Sequence, residues 1–520
     1  MRRAAWLLAG LLLFGSCANR GSQPSPPRLV IALPSGVVTP LPFESNEEFS
    51  SSILRNVYDP LVELDEGLAA RPGLAESWFT PDDLTWVFRL RSGILLHDGR
   101  TLNAGLIAQS LEQVLRDPRS KRSPEIGAVE RIETPDQRTL VLKTSRPSSN
   151  LHNRLAGILL SVPGAGPQAP AVGSGPYRMV VRADGAVTLS AFEGYHEGPV
   201  GIREVEFRAV PSATERVRLL RSGQVHLILD VPPETFPALG TTAGIRAESA
   251  PGLRTLYLGL DCSQPTNPDV NLGGPNPLRD VRVRQALALA VDRSRLAREA
   301  LSGFADPAHQ IVPPEVFGFH PELPPWPHAP DQARRLLAEA GFPAGFSVSL
   351  DYPIAKYQAL ASVVPRLVAD LAAVGIHVTP RPAEWKLFRD RVHDRHHTAL
   401  YLAGWLNTTG DATVDYDYLV RTRAASGAGL LNAGGYSSPQ VDALLDQAMV
   451  PGTPRDRRTP LLAVAERLRE DLPLIPLYRQ RDLYAFSSRL LFEPRPDRRI
   501  RVEFLRWRQG PVETPRAGRG

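Results

Sequence analysis

The sequence contains only two cysteines, Cys17 and Cys262, and almost no lysine, because nearly all of its positive charge is arginine. Two cysteines are too few for a disulfide-stapled scaffold or a cysteine-rich metal site. Basic residues number 60 and acidic residues 55, and no basic block is interleaved with aromatic residues. The net charge of +5 on 520 residues is too small to indicate nucleic-acid binding.

Motifs of common enzyme and metal sites are also missing. The sequence has no H-E-x-x-H motif, no cysteine pair and no phosphate-binding glycine loop, and the turn Gly173–Tyr177 lacks G-x-S-x-G spacing. His393 and His397 would share one face of a helix, but their charged surroundings predict a solvent-exposed helix. We therefore predict no enzyme, no metal and no cofactor. The remote alternative is an exported hydrolase with Asp411 or another carboxylate as acid or base, although no paired nucleophile and base is present.

The N-terminus contains the only export signal. Two arginines precede a short apolar run, Trp6–Phe14, which is too short to cross a bilayer. This layout predicts a signal peptide over residues 1–16. The small residues before Cys17 resemble a bacterial lipobox, with Phe14 where leucine is usual, which implies that Cys17 is lipidated. Residues 17–27 then form a flexible tether. Ordinary secretory cleavage and a start codon placed too far upstream are the alternatives.

The remaining chain has the composition of a soluble globular protein, with 42% hydrophobic and 22% charged residues. Its length exceeds what one hydrophobic core supports, so at least two lobes are expected. Residues 28–33 predict a buried strand, and residues 203–229 predict a strand–helix–strand unit typical of α/β architecture. Asn103 and Asp280 are predicted to cap helices. Further helices are predicted over about 330–341, 438–448 and 459–470, with a strand at 474–478.

Several motifs occur along the chain in a fixed order. They are Asn56–Val62, Leu74–Trp78, Phe88–Gly93, His97–Gly99, Gly173–Tyr177, Asp280–Leu287, Val291–Arg293, Pro330–Gly341, Gly404–Trp405, Asn432 with Tyr436, Asp442 and Asp471–Tyr478. Together they resemble the extracellular solute-binding proteins of family 5, the dipeptide, oligopeptide and nickel class. The resemblance covers roughly residues 28–490.

The resemblance implies an α/β fold like that of the type II periplasmic binding proteins, with two lobes around a hinge and an additional inserted domain. Lobe I comprises residues 28–47, 171–260 and 480–508. Domain II is an insertion over residues 48–170, and lobe III spans residues 261–479. Residues 509–520 are expected to form a flexible tail.

The resemblance also implies the function of a substrate-binding lipoprotein of an ABC importer. Such a protein captures a peptide or similar small solute between lobes I and III, closes around it by hinge motion and delivers it to the permease subunits. We expect a monomer in the cell envelope or periplasm, attached to a membrane by its lipid and not bound to nucleic acid. A non-peptide ligand, such as an oligosaccharide or a metal chelate, and a ligand sensor on the same fold are the alternatives.

The predicted ligand-binding residues lie in one stretch, Gly404, Trp405, Leu406, Asn407, Thr408 and Asp411. In peptide-binding relatives the backbone after the Gly-Trp pair runs beside the ligand, and an aspartate three residues past the tryptophan holds the α-ammonium group. Thr408 stands at that position here and cannot supply the charge. Asp411 matches a later acidic position and could substitute if the loop shifts. A ligand without an ammonium group, such as a sugar or a blocked peptide, is therefore favoured.

Overall fold

The structure is a computed structural model that describes residues 28–164, 170–181, 186–271, 273–354, 356–394, 397–424 and 427–508. The predicted signal peptide, the tether with Cys17 and the predicted tail lie outside the described residues. No helix within the described ranges is both long enough and apolar enough to cross a membrane.

The strands of the described chain follow one another in this order: β1 Leu29–Leu33, β2 Val62–Leu64, β3 Ala70–Pro72, β4 Ala75–Asp82, β5 Thr85–Leu90, β6 Val129–Asp136, β7 Thr139–Thr144, β8 Tyr177–Val181, β9 Val187–Ala191, β10 Glu204–Ala209, β11 Leu227–Leu229, β12 Ile245–Leu260, β13 Ala305–Pro307, β14 Phe346–Pro353, β15 Ile376–Ala383, β16 Leu400–Leu406, β17 Leu474–Ser487, β18 Leu490–Leu491 and β19 Arg506–Trp507.

The α-helices are α1 Glu48–Leu54, α2 Ala104–Arg116, α3 Ser123–Ile126, α4 Leu151–Leu155, α5 Ala213–Arg221, α6 Phe236–Gly240, α7 Val281–Ala290, α8 Arg293–Arg295, α9 Pro330–Glu339, α10 Leu360–Ala372, α11 Trp385–Arg389, α12 Ala412–Leu419, α13 Pro439–Met449 and α14 Pro454–Asp471. Short 3-10 and π-helical turns lie at Pro42–Glu44, Pro277–Arg279, Leu296–Ala300, Asp390–Asp394 and Val502–Phe504.

One large mixed sheet runs through lobes I and III, in the strand order β15-β14-β16-β12-β17-β11-β1-β10-β9-β8 with β13 beside β17. The long strands β12 and β17 pair along both halves of this sheet. Their register shifts between Pro251 and Thr255 and again between Leu256 and Tyr257, shortly before the predicted end of lobe I at residue 260. Because the two long strands lie side by side at this point, we expect the predicted hinge motion to centre on the register break.

Domain II has its own four-stranded antiparallel sheet in the order β4-β5-β7-β6, covered by α2. Its core contains Trp86, Phe88, Leu111 and Leu140. The chain enters domain II after β1 and leaves it before β8, and both strands belong to the lobe I half of the large sheet. Domain II is therefore tied covalently to lobe I at both ends.

The helix caps confirm the sequence pattern. The side chains of Asn103 and Asp280 accept hydrogen bonds from backbone N–H groups in the first turns of α2 and α7. The prediction for α14 was wrong at its start, because the helix begins at Pro454 and not near residue 459. Thr453 and Asp456 form a capping box, and Pro460 lies inside the helix, where the sequence pattern favours a break. The domain boundaries stay predictions, since the large sheet continues from one lobe into the other.

Candidate ligand-binding site

The predicted binding stretch begins at the end of β16, beside the hinge. Leu406 pairs with Arg254, a residue of β12 that lies within the register break. The Tyr357 hydroxyl group donates a hydrogen bond to the carbonyl oxygen of Gly404 at 3.3 Å. A Cβ atom on Gly404 would lie 3.0 Å from the Tyr357 ring, so glycine permits this close approach. The end of β16 thus lies between the backbone of β12 and the side chain of Tyr357.

Trp405 is half-buried and its indole group is fixed by a buried carboxyl group. Its Nε1–H donates to Oδ1 of Asp415 at 2.5 Å, and its ring lies 5.6 Å from that of Tyr418. Burial raises the pKa of Asp415 to about 8, against the lowering effect of hydrogen bonds from Trp405 and Asn407, and the charge of Asp411 raises it further. Asp415 is therefore a neutral carboxylic acid at pH 7.

Asn407 is buried and braces the loop that follows β16. Its Oδ1 accepts from the backbone N–H groups of Thr409 and Gly410 at 3.0 and 2.8 Å, and its Nδ2 donates to Asp415 at 2.7 Å. Thr408 is half-buried and makes no hydrogen bond to any described residue. Asn407 thus acts as a structural side chain, whereas Thr408 is free for a ligand.

Asp411 is only 2% exposed, and both of its carboxylate oxygens have partners. Oδ1 accepts from the backbone N–H of Thr413 at 2.9 Å and from its hydroxyl group at 2.5 Å, which caps α12. Oδ2 forms an ion pair with Arg457 at 2.5 Å. Asp411 reaches a ligand beside Trp405 only if these contacts break, so its predicted substitution for the missing aspartate stays a prediction.

An arginine-centred cluster joins the parts of the molecule at the hinge end of the cleft. Arg498 is 4% exposed and pairs with Glu48, Asp230 and Asp482 at 2.7, 2.6 and 2.7 Å. Burial raises the pKa of Asp482 to about 6, against the lowering effect of Arg498. Two further contacts reach this cluster from neighbouring elements.

The first contact is an ion pair between Arg254 and Glu48 at 2.6 Å. The second is a hydrogen bond from Nε2 of Gln358 to Asp230 at 3.2 Å. By the predicted bounds, the first contact joins lobe I to the start of domain II, and the second joins lobe III to lobe I.

Lys356 carries a positive charge that no described carboxylate of this region neutralises. It is exposed, forms no ion pair with a described residue, and its Nζ lies 4.9 Å from the ring centroid of Trp385. Desolvation, followed by the charge of Arg254, lowers the pKa of its ammonium group. Trp385 is itself 37% exposed. The pair offers a cation and an aromatic face next to Tyr357.

The sequence pattern did not reveal Arg254, Lys356, Tyr357 or Asp415 as parts of this region. One signal was available for Lys356, since it is one of four lysines among 60 basic residues. Within the described residues no three histidine, cysteine, aspartate or glutamate side chains are grouped as a metal site. The histidine segment forms a π-helical turn over Asp390–Asp394, and His396 lies outside the described residues.

The fold defines the class of the protein. The chain has the type II periplasmic-binding-protein fold, and two solved structures superpose over nearly all of it. DppA from Helicobacter pylori in complex with peptide STSA has a TM-score of 0.78 at 21% identity, covering 93% of this chain and 98% of that chain. NikA from Staphylococcus aureus in complex with Ni(L-His)2 has a TM-score of 0.74 at 20% identity, covering 91% and 97%.

The family follows from the sequence comparison. The model of the bacterial extracellular solute-binding proteins, family 5 Middle, matches residues 69–427. The chain therefore belongs to this family of solute-binding proteins. Among curated relatives, the glutathione-binding protein GsiB of Escherichia coli strain K12 is 27% identical over 503 residues, which cover 92% of this chain and 93% of the relative.

Proposed function

We propose that this protein is the solute-capturing component of an ABC importer and that it holds a small, carboxylate-bearing solute between lobes I and III. Membership of the family and the position of the Gly404–Thr408 stretch beside the hinge support this assignment. Blocked peptides and other solutes without a free ammonium group fit the site best. Lipidation of Cys17, attachment to a membrane and delivery to permease subunits belong to the same proposal and rest on the sequence pattern.

The charge of the cleft wall carries the proposal for the ligand class. Glu48 and Arg254 neutralise each other, and Asp411 is paired with Arg457. The unpaired positive charge of Lys356 therefore dominates beside Tyr357. A desolvated carboxylate binds best to such a charge-assisted donor.

The threonine at position 408 supports the second half of the ligand assignment. A buried α-ammonium group needs a charged acceptor, and the side chain of Thr408 supplies only a hydroxyl group. Relatives with peptide, glutathione and nickel–histidine in their names mark the range of solutes to be tested.

The test is a thermal-shift screen of the purified protein with short peptides, N-acetylated peptides, oligosaccharides and metal chelates. A ligand at ~100 times its dissociation constant stabilises the folded protein by about 2.7 kcal/mol, which gives a clear rise in the melting temperature. We expect N-acetylated peptides with a free carboxylate to give the largest rise, and the same peptides as C-terminal amides to give little.

Two matched variants test the charge. Lys356→Gln removes the cleft ammonium group, and we expect it to lower the affinity for a carboxylate ligand roughly tenfold. Lys386→Gln removes an exposed lysine of α11 and should leave the affinity unchanged. Equal binding of carboxylate and amide forms, or equal effects of the two variants, would contradict the ligand assignment. If no class of compound in the screen bound, the proposal that the protein captures a solute of these classes would be contradicted.

A further inference from the structure

A second cavity lies between domain II and lobe III, away from the Gly404–Thr408 stretch. Its volume is about 580 Å³, within the range of sites for small organic ligands. Trp86 and His152 of domain II line one part of it, and Phe317, Arg457 and Arg458 of lobe III line another. Among the predicted binding residues only Asp411 borders this cavity. The cavity is thus a separate feature that the proposed function does not use.

Two ring nitrogens at this cavity lack partners. Trp86 is 4% exposed, and its Nε1 has no hydrogen-bond partner among the described residues. Nδ1 of His152 is also buried without a partner, and the two rings stack with centroids 5.2 Å apart. Native proteins seldom leave such groups unsatisfied, because each costs desolvation without a compensating bond. Both rings line the same cavity, so a bound ligand can supply the missing partner.

His152 takes part as a neutral ring. Burial lowers its pKa to about 4, and the nearby charge of Arg457 lowers it further, against the raising effect of Asp411. At neutral pH one nitrogen of the ring therefore donates and the other accepts. The indole N–H of Trp86 can only donate, which favours a ligand that carries acceptor atoms.

The charge at the cavity is positive once the ion pairs are formed. Arg457 is neutralised by Asp411, and its guanidinium group lies 5.1 Å from the Phe317 ring centroid. Glu315 also lines the cavity but pairs with Arg479 at 2.5 Å. Arg458 is exposed and has no ion-pair partner among the described residues. Its charge remains available and favours an anion.

The walls also supply flat apolar surface. Trp86 from domain II and Phe317 from lobe III both line the cavity, together with Leu68 and Val316. The Trp86 ring already stacks on Phe88 and His152, so it contributes apolar contact and not an open stacking face. Apolar walls of this kind hold a ring by dispersion. A ligand that combines a ring with an anionic group satisfies both the apolar walls and the free arginine.

We propose that the cavity between domain II and lobe III is a second ligand site, which binds a small aromatic carboxylate with its ring near Trp86 and Phe317 and its carboxylate at Arg458. None of the residues Gly404–Thr408 lines this site, and the proposal does not rest on the function proposed for the solute cleft.

The probe for this site is para-bromobenzoate, because bromine can be located by its anomalous scattering. Crystals of the protein are soaked in the probe, and its affinity in solution is measured by titration calorimetry. We expect the bromine peak within the cavity, and no binding of the uncharged para-bromobenzamide. A bromine peak only in the cleft beside Trp405, or equal binding of acid and amide, would overturn the proposal.

Two arginines of α14 provide a matched pair of variants. Arg458→Gln is expected to weaken binding of the probe roughly tenfold, since it removes the free charge. Arg455→Gln changes another exposed arginine that does not line the cavity, and it should bind the probe like the wild type. Trp86→Phe keeps the ring but removes the N–H donor and should weaken binding several-fold. An unchanged affinity of Arg458→Gln would refute the site even if the tryptophan variant fails to fold.

Discussion

A single carboxyl group, that of Asp415, fixes two of the predicted binding residues. It accepts hydrogen bonds from the indole group of Trp405 and from the amide group of Asn407, while its second oxygen has no partner among the described residues. The group is fully buried and its pKa is raised to about 8. The orientation of Trp405 therefore depends on a carboxylic acid that must stay protonated.

This arrangement predicts a specific dependence of stability on pH. A carboxyl group whose pKa is higher in the folded state stabilises the protein fully below its unfolded value of 3.8, and this contribution is lost as pH rises towards about 8. In that window the contribution falls by about 1.4 kcal/mol per pH unit. Asp415→Asn keeps the acceptor for Trp405 but cannot ionise. The unfolding free energy of the variant minus that of the wild type should therefore increase by this amount for each unit that the pH rises.

Urea unfolding of both proteins at several pH values between 5 and 7.5 measures the difference, and the other titrating groups cancel in the comparison. Asp471→Asn, which changes a carboxylate already paired with Arg467, serves as the control. A constant difference between wild type and Asp415→Asn across this range would mean that Asp415 is ionised in the folded protein.

At the scale of elements, the crossing strands β12 and β17 contain a position where only glycine fits. A Cβ atom on Gly252 would lie 2.4 Å from the carbonyl oxygen of Gln480, which is backbone of the partner strand. We expect Gly252→Ala to force the two strands apart at the register break and to destabilise the protein by about 1–3 kcal/mol. Thermal and urea unfolding measure this effect.

Gly240→Ala is the control for the hinge variant. Gly240 ends α6 in lobe I, and its added Cβ atom would meet only the Cβ of Ala247 at 3.8 Å. That change should be neutral or slightly stabilising. Equal unfolding free energies for the two variants would show that the strands at Gly252 adjust without cost.

Local elements could be predicted from the sequence where the interaction that forms them lies within one short segment. Asn103 and Asp280 cap their helices because the side chain and the N–H groups that it accepts from are only two or three residues apart. The start of α14 was missed because Pro460 suggests a break, whereas the capping box at Thr453 begins the helix earlier.

The two candidate sites depend on contacts between residues that are far apart in the sequence, which the spacing of motifs does not predict. Asp415 could not be assigned to Trp405 because the bond depends on how α12 packs against β16. The second cavity joins Trp86 to Arg457, which are far apart in the chain and meet only through the docking of domain II on lobe III. The motifs of the family therefore predict the Gly404–Thr408 stretch as the site, while the charged side chains near it are known only from tertiary structure.

At the scale of the whole molecule, α4 of domain II docks onto lobe III. Nδ2 of Asn150 donates to the Thr413 hydroxyl group at 2.5 Å, and Nδ2 of Asn153 donates to the carbonyl oxygen of Thr409 at 2.7 Å. Domain II is joined to lobe I at both ends, so these bonds span the boundary that the predicted hinge motion would open.

We expect the double variant Asn150→Ala/Asn153→Ala to favour a more open molecule in the absence of ligand, because each lost bond is worth about 1 kcal/mol. Spin labels at Glu130 in domain II and Gln447 in lobe III report the separation by pulsed electron resonance, with Cys17 and Cys262 replaced by serine. The distance distribution should shift to longer values. Gln109→Ala/Gln113→Ala on α2 is the control, and identical distributions for both double variants would exclude Asn150 and Asn153 as closing contacts.

The shortage of lysine has a chemical consequence for the cleft. The chain has four lysine side chains, at positions 121, 143, 356 and 386. Because the pKa of Lys356 is lowered, its amine is unprotonated more often than an ordinary lysine and is the stronger nucleophile at a given pH. Acylating reagents therefore have few competing lysine targets, and the lowered pKa favours reaction at Lys356. The arginine-rich composition has left the protein with a chemically addressable residue beside its proposed solute site.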